Sequence, residues 1–225
     1  MPFDDAGRPG PWRGAGERAI NLPPTVLFLI GFNVLIHVVR MLLPDAFDQR
    51  LVYRLGLVAG AYTGDAGPTP VEPLALLVAP ITYQFLHASW MHLGVNMATL
   101  AAFGAPVERV LGMQRFVLFY LIAGIVAGFV HVLFFYDTLD PVVGASGAIS
   151  GLFGGVLILM RRVGRLHSLI PIALVWIGLN VFFGVVGGTP GAGGDPVAWS
   201  AHIGGFLFGL AAIRLFVPPA PKPII

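Results

Sequence analysis

The chain has 225 residues, 56% of them hydrophobic and only 11% charged, with a mean hydropathy of +0.84. About a quarter of the residues of a soluble domain are charged, so composition excludes a water-soluble fold and makes a bilayer the main solvent. A net charge of +2 and the lack of cysteine leave no basic surface for nucleic acid, no disulfide and no thiolate nucleophile or metal ligand.

Residues 1–23 are polar and rich in Gly, Pro and Arg. They lack the apolar core and small-residue cleavage site of a signal peptide, so the first apolar run is expected to be retained. That run is Thr25–Leu43, close to the ~20 residues a helix needs to cross a bilayer. Pro44–Ser89 breaks the pattern with Asp45, Asp48, Arg50, Arg54, Asp65 and Glu72 and a "GDAGPTP" turn. Its apolar part, "PLALLVAPITYQFL", is short for a span. We read an interfacial insertion, with a seventh span as the alternative. Five more runs follow: Trp90–Ala105, Phe116–Tyr136, Ala145–Met160, Leu166–Val186 and Ala198–Val217. The second and fourth are short, as expected of helices whose ends are recessed into a protein cavity. The expectation is an all-α polytopic membrane protein. It has a six-helix bundle over residues 24–217, a long loop between helices one and two, and tails at 1–23 and 218–225.

Six spans put both termini on one side. Charge then assigns that side to the cytoplasm. It holds Arg8, Arg13, Arg18, Arg109, Arg115, Arg161, Arg162, Arg165, Arg214 and Lys222, ten of the thirteen basic residues, as the positive-inside rule requires. The basic face around Arg161, Arg162, Arg165 and His167 is expected to meet anionic lipid. The other side carries Asp45, Asp48, Asp65, Glu72, Asp137, Asp140 and Asp195. Twelve Arg to one Lys, with much Gly, Ala and Pro, hints at a bacterial source and therefore a plasma membrane.

Polar groups inside a bilayer are expensive, so each is a candidate site. "VVGASGAISG" places Ser146 between Gly144 and Gly147 at the outer end of the fourth run. "HASWMHLGVN" gives His87, His92 and Asn96; the last two lie one turn apart on one helix face. Two donors on one face suit a developing oxyanion and suit a metal poorly. "AHIGGFLFG" places His202 at the outer end of the sixth run, at the depth of Ser146. A Ser and a His at equal depth form a nucleophile–base pair if their helices touch. Contact is expected because Gly205 and Gly209 follow His202, and small residues recur every fourth position from Ser146 and Gly147; such faces let membrane helices approach closely. His37 and His131 read as structural. Asp195, seven residues before His202 in a Gly/Pro loop, is a weaker candidate for completing a triad.

These features together resemble the rhomboid family of intramembrane serine proteases, over about residues 24–217. The GxSG motif is Gly144-Ala145-Ser146-Gly147. The helix-two motif is His87, His92 and Asn96. The histidine followed by GxxxG is His202, Gly205 and Gly209. "PVERVLG", with Glu108 and Arg109, is similar too. The resemblance implies a Ser146–His202 dyad without a carboxylate, metal or cofactor. The Ser146 N–H, His92 and Asn96 would form the oxyanion hole, and Gly144, Gly147, Gly205 and Gly209 the close packing. It implies single-span membrane proteins as substrates, cleaved near the outer face, and leaves oligomeric state open. Many members carry an aromatic residue four positions after the nucleophile; here that position is Ser150, whose hydroxyl is a candidate support for His202. Two other functions stay open. One is a catalytically silent rhomboid-like scaffold that binds transmembrane helices. The other is a channel, transporter or haem protein, for which neither inverted repeats nor paired histidines at equal depth are found.

Overall fold

The computed structural model describes residues 21–64, 72–186 and 198–219. Among these the fold is all-α, and each of the six apolar runs is a helix. They are α1 Pro24–Met41, α5 Trp90–Leu111, α6 Met113–Phe134, α7 Ser146–Arg162, α8 Ile170–Val186 and α9 Trp199–Phe216. The insertion supplies α2 Asp45–Leu55, α3 Ala59–Thr63, α4 Pro73–Thr82 and a 3₁₀ turn at Tyr83–Phe85.

By length and composition, α1, α6 and α9 each suffice to cross a membrane, and α8 is a shorter apolar helix. α4 and α5 pass the same test only as a pair bent by 79°. Large apolar side chains face outward, among them Phe28, Leu35, Leu133, Leu174, Val185 and Leu215. That is the surface expected of a bundle dissolved in lipid. The chain is thus a polytopic membrane bundle.

Helix two is longer than its apolar run. α5 has 22 residues and continues through Pro106 and Glu108 to Leu111. The reason lies at the start of α1. There the first main-chain N–H groups have no partner within the helix, and the Glu108 carboxylate accepts from Thr25 N at 3.2 Å and Val26 N at 2.9 Å. A buried carboxylate at a helix N-terminus is satisfied by both hydrogen bonds and dipole, so the charge ends neither the helix nor the buried layer.

Close packing gathers on α6, α7 and α9. A side chain at Gly205 would strike the Gly147 carbonyl, and one at Gly209 the Gly151 carbonyl. α6 joins the same seam: a Cβ on Gly147 would sit 2.7 Å from Ala127 Cβ, and one on Gly151 2.6 Å from Ala123 Cβ. The seam expected between two helices is therefore shared by three. His131 of α6 meets Ser200 Oγ of α9 at 3.0 Å, which gives that histidine its structural place.

The insertion is pinned to the segment before Ser146. Leu57 and Val142 exchange main-chain hydrogen bonds of 3.0 and 2.9 Å, and Gly144 N donates to Tyr83 O at 2.9 Å. Tyr83 in turn donates its hydroxyl to Gly124 O of α6 at 2.6 Å. At the near end, Arg40 pairs with Asp48 at 2.7 Å and donates to His87 O at 2.8 Å. The insertion thus braces the turn that presents Ser146.

Candidate active site

Ser146 is the first residue of α7. The helix cannot extend back through Gly144, whose φ is +131°, a conformation open in practice only to glycine. The main-chain ladder of α7 begins with Ile149 N donating to Ala145 O at 3.0 Å. The Ser146, Gly147 and Ala148 N–H groups therefore sit at the positive end of the helix dipole, with no acidic side chain in the first turn.

His202 lies in the first turn of α9. Its Nε2 is 2.7 Å from Ser146 Oγ. The glycine seam sets this distance, because the two backbones touch at Gly147, next to Ser146, and Gly205, one turn after His202. The pair is neither sealed nor exposed: Ser146 and His202 are both half-buried. A serine hydroxyl in hydrogen-bond reach of an imidazole nitrogen is the arrangement that produces an activated alkoxide nucleophile.

His92 stands beside them. Ser89 caps α5, its Oγ accepting from His92 N at 3.2 Å, so His92 is held in the first turn. A Cβ on Gly144 would come within 2.9 Å of His92 Cε1 and Nε2 and 3.6 Å of Ser146 Oγ. The absent side chain is what lets the His92 ring reach the serine turn. Gly144 is thus a turn residue seating His92, which corrects its assignment to helix packing. His87 is fully buried behind His92, the two rings edge to face at 5.2 Å.

Asn96 follows His92 on the same helix face. It is buried one turn deeper, and its Nδ2 donates to His92 O of its own helix at 3.1 Å. The structure brings together Ser146, His202 and His92.

Ser150 does not support His202. Its hydroxyl donates to Ser146 O at 2.8 Å, a bond within α7. The second ring nitrogen of His202 is taken from the other side: Nδ1 is 2.7 Å from Asn180 Oδ1 of α8. Asn180 is the residue that sequence reasoning missed. The signal was there, since Asn180 is the lone amide in the 17-residue apolar stretch "IPIALVWIGLNVFFGVV", and an isolated polar group in such a helix calls for a partner. Asp195 lies outside the described residues.

The family model for the Rhomboid domain matches residues 77–219, more than half of the chain. The chain belongs to the rhomboid family. Among curated relatives it is similar to RHOMBOID-like protein 4 of Arabidopsis thaliana, 35% identical over 148 residues, 62% of this chain and 34% of that one. It is equally similar to Rhomboid protease GluP of Bacillus subtilis (strain 168), 35% identical over 147 residues, 64% of this chain and 26% of that one. YdcA of the same bacterium is 37% identical over 165 residues, covering 69% of this chain and 74% of that protein. The chain thus spans about a third of the plant rhomboid's length and about a quarter of GluP's.

Proposed function

We propose that this rhomboid is an intramembrane serine endopeptidase in which Ser146 is the nucleophile and His202 the general base. The observation that carries the reading is the 2.7 Å approach of Ser146 Oγ to His202 Nε2 across two helices. Ser146 Oγ attacks a peptide carbonyl while His202 takes its proton. His202 then returns that proton to the leaving amine. The developing oxyanion meets the Ser146 N–H at the α7 N-terminus and the His92 ring. Water then hydrolyses the acyl-enzyme, with His202 taking the water's proton and returning it to Ser146 Oγ.

The substrates in this reading are single-span membrane proteins, cleaved near the outer face. The six helices all cross the bilayer, both termini face the cytoplasm, and the membrane is a bacterial plasma membrane. The support is the distribution of basic residues, with Arg161 and Arg162 at the far end of α7 from Ser146 and Arg214 at the far end of α9 from His202.

The test is covalent labelling of the purified chain with a fluorophosphonate, followed by incubation with a panel of transmembrane substrates. Labelling and cleavage are expected in the wild type. Both should vanish in Ser146→Ala and His202→Ala, with the double variant no worse than either, because the two act as a unit. Substantial cleavage by either single variant would overturn the assignment. Substrate binding by an unlabelled wild type would point to a silent scaffold.

A further inference from the structure

We propose that Asn180 is a positioning residue for His202, holding it in the tautomer that can accept the serine proton only while α8 is seated on the bundle. This rests on the Ser146–His202 reading above.

The argument begins with the Asn180 amide, which is engaged at both ends. One end lies 2.9 Å from the Trp176 carbonyl. A carbonyl only accepts, so that end is the NH₂, and the oxygen must face His202. The oxygen also only accepts. The ring nitrogen 2.7 Å from it, Nδ1, therefore carries the proton. A neutral imidazole has one N–H, so Nε2 is left bare, 2.7 Å from Ser146 Oγ. That tautomer accepts a hydrogen bond from the serine hydroxyl; the other would offer a second donor to it and no base. Asn180 does for the ring what a carboxylate does in a soluble triad, with a dipole in place of a charge.

The second half follows from where Asn180 sits. No residue from 170 to 185 is buried. α8 rests on the bundle through a few side chains. Trp176 packs against Phe153 of α7 and Phe206 of α9, with ring centroids 4.9 and 6.1 Å apart, and Gly184 lies under the Trp199 ring. Trp176 and Asn180 are one turn apart, so the contact that seats the helix also carries the amide that orients the base. Lifting α8 removes the acceptor from Nδ1 and lets the ring turn and change tautomer, while the α7–α9 seam stays intact.

The experiment uses the full chain in nanodiscs and follows the rate of Ser146 labelling by a fluorophosphonate, the melting temperature, and the ¹⁵N spectrum of His202. Asn180→Ala should label roughly tenfold more slowly, the worth of one orienting hydrogen bond, with the melting temperature nearly unchanged. Its His202 ¹⁵N signals should move toward a mixture of tautomers. Asn180→Asp, which keeps the acceptor, should restore labelling to at least the wild-type rate. Trp176→Ala should slow labelling like Asn180→Ala, and the two changes together should cost no more than either. Wild-type labelling in Asn180→Ala, or no rescue by aspartate, would overturn the role of Asn180. Full additivity with Trp176→Ala would overturn the link to α8. Persistent labelling in Ser146→Ala would instead bring down the dyad reading itself, so the two failures are distinguishable.

Discussion

The α7–α9 seam and α8 meet the same two catalytic candidates in opposite ways. The seam has almost no side chains: Gly147, Gly151, Gly154, Gly205 and Gly209 are buried, and backbone lies on backbone. α8 has no buried residue from 170 to 185 and reaches the site with one amide. The seam fixes a distance, Ser146 to His202. α8 fixes an orientation, that of the ring. A distance between two helices has to be rigid, and glycine contact allows no intermediate positions. An orientation needs one hydrogen bond, which a loosely held helix can give or withdraw.

The largest effect that separates the two regions comes from adding volume to each. Gly209→Val would drive a branched side chain into the Gly151 carbonyl, and Gly205→Val into that of Gly147. Overpacking of this kind costs about 1–3 kcal/mol, and more where backbone must move. Melting temperature and fluorophosphonate labelling should therefore fall together. Gly178→Val on α8 is the matched control, since nothing lies within 4 Å of a Cβ there; both readings should stay near wild type. If all three variants behave alike, the seam is not what sets the dyad.

A smaller effect should split the two helix-two residues. His92 flanks the serine turn and Asn96 bonds to its own helix. Loss of one oxyanion donor typically costs on the order of 10²–10³ in rate, and that is the expected fall in kcat for His92→Ala. Asn96→Ala should lose less than about tenfold, the value of an ordinary hydrogen bond. Steady-state kinetics on one transmembrane substrate checks both. Equal losses would assign Asn96 the same role as His92.

What was legible in the sequence follows the same division. Backbone contact demands that side chains be missing, and a row of missing side chains at helical spacing is visible as Gly147, Gly151, Gly205 and Gly209. With the seam legible, so was the pairing of Ser146 with His202. Asn180 was harder because nothing on α8 repeats; its partner is set by how the helix lies, which a single amide does not encode. The insertion failed to announce its role for a related reason. Leu57 and Val142 are 85 positions apart, and their pairing has no pattern in either segment. Glu108 was noticed as part of "PVERVLG", but its task, accepting two N–H groups at the head of α1, depends on a helix end 82 residues away.

The smallest expected effect concerns Ser150, the position where this chain departs from the family pattern. Two accounts of its hydroxyl are possible in principle: a bond to His202, or a bond within its own helix. The geometry supports the second, since the hydroxyl is 2.8 Å from Ser146 O and Asn180 occupies His202 Nδ1. Ser150→Ala then removes one side-chain bond to a carbonyl that the helix ladder already serves. Alanine is also the better helix former, by a few tenths of a kcal/mol, which offsets part of the loss. The group lost is a single buried hydroxyl. Turnover should remain within about twofold of wild type and the melting temperature should hold. Ser150→Tyr should behave differently, because the position is buried and a ring there must displace its neighbours; its melting temperature should fall. A tenfold loss of kcat in Ser150→Ala with an unchanged melting temperature would return the hydroxyl to the site. It would also mean that α8 shares the orientation of His202 with α7, and the contrast between the rigid seam and the loosely held helix would have to be redrawn.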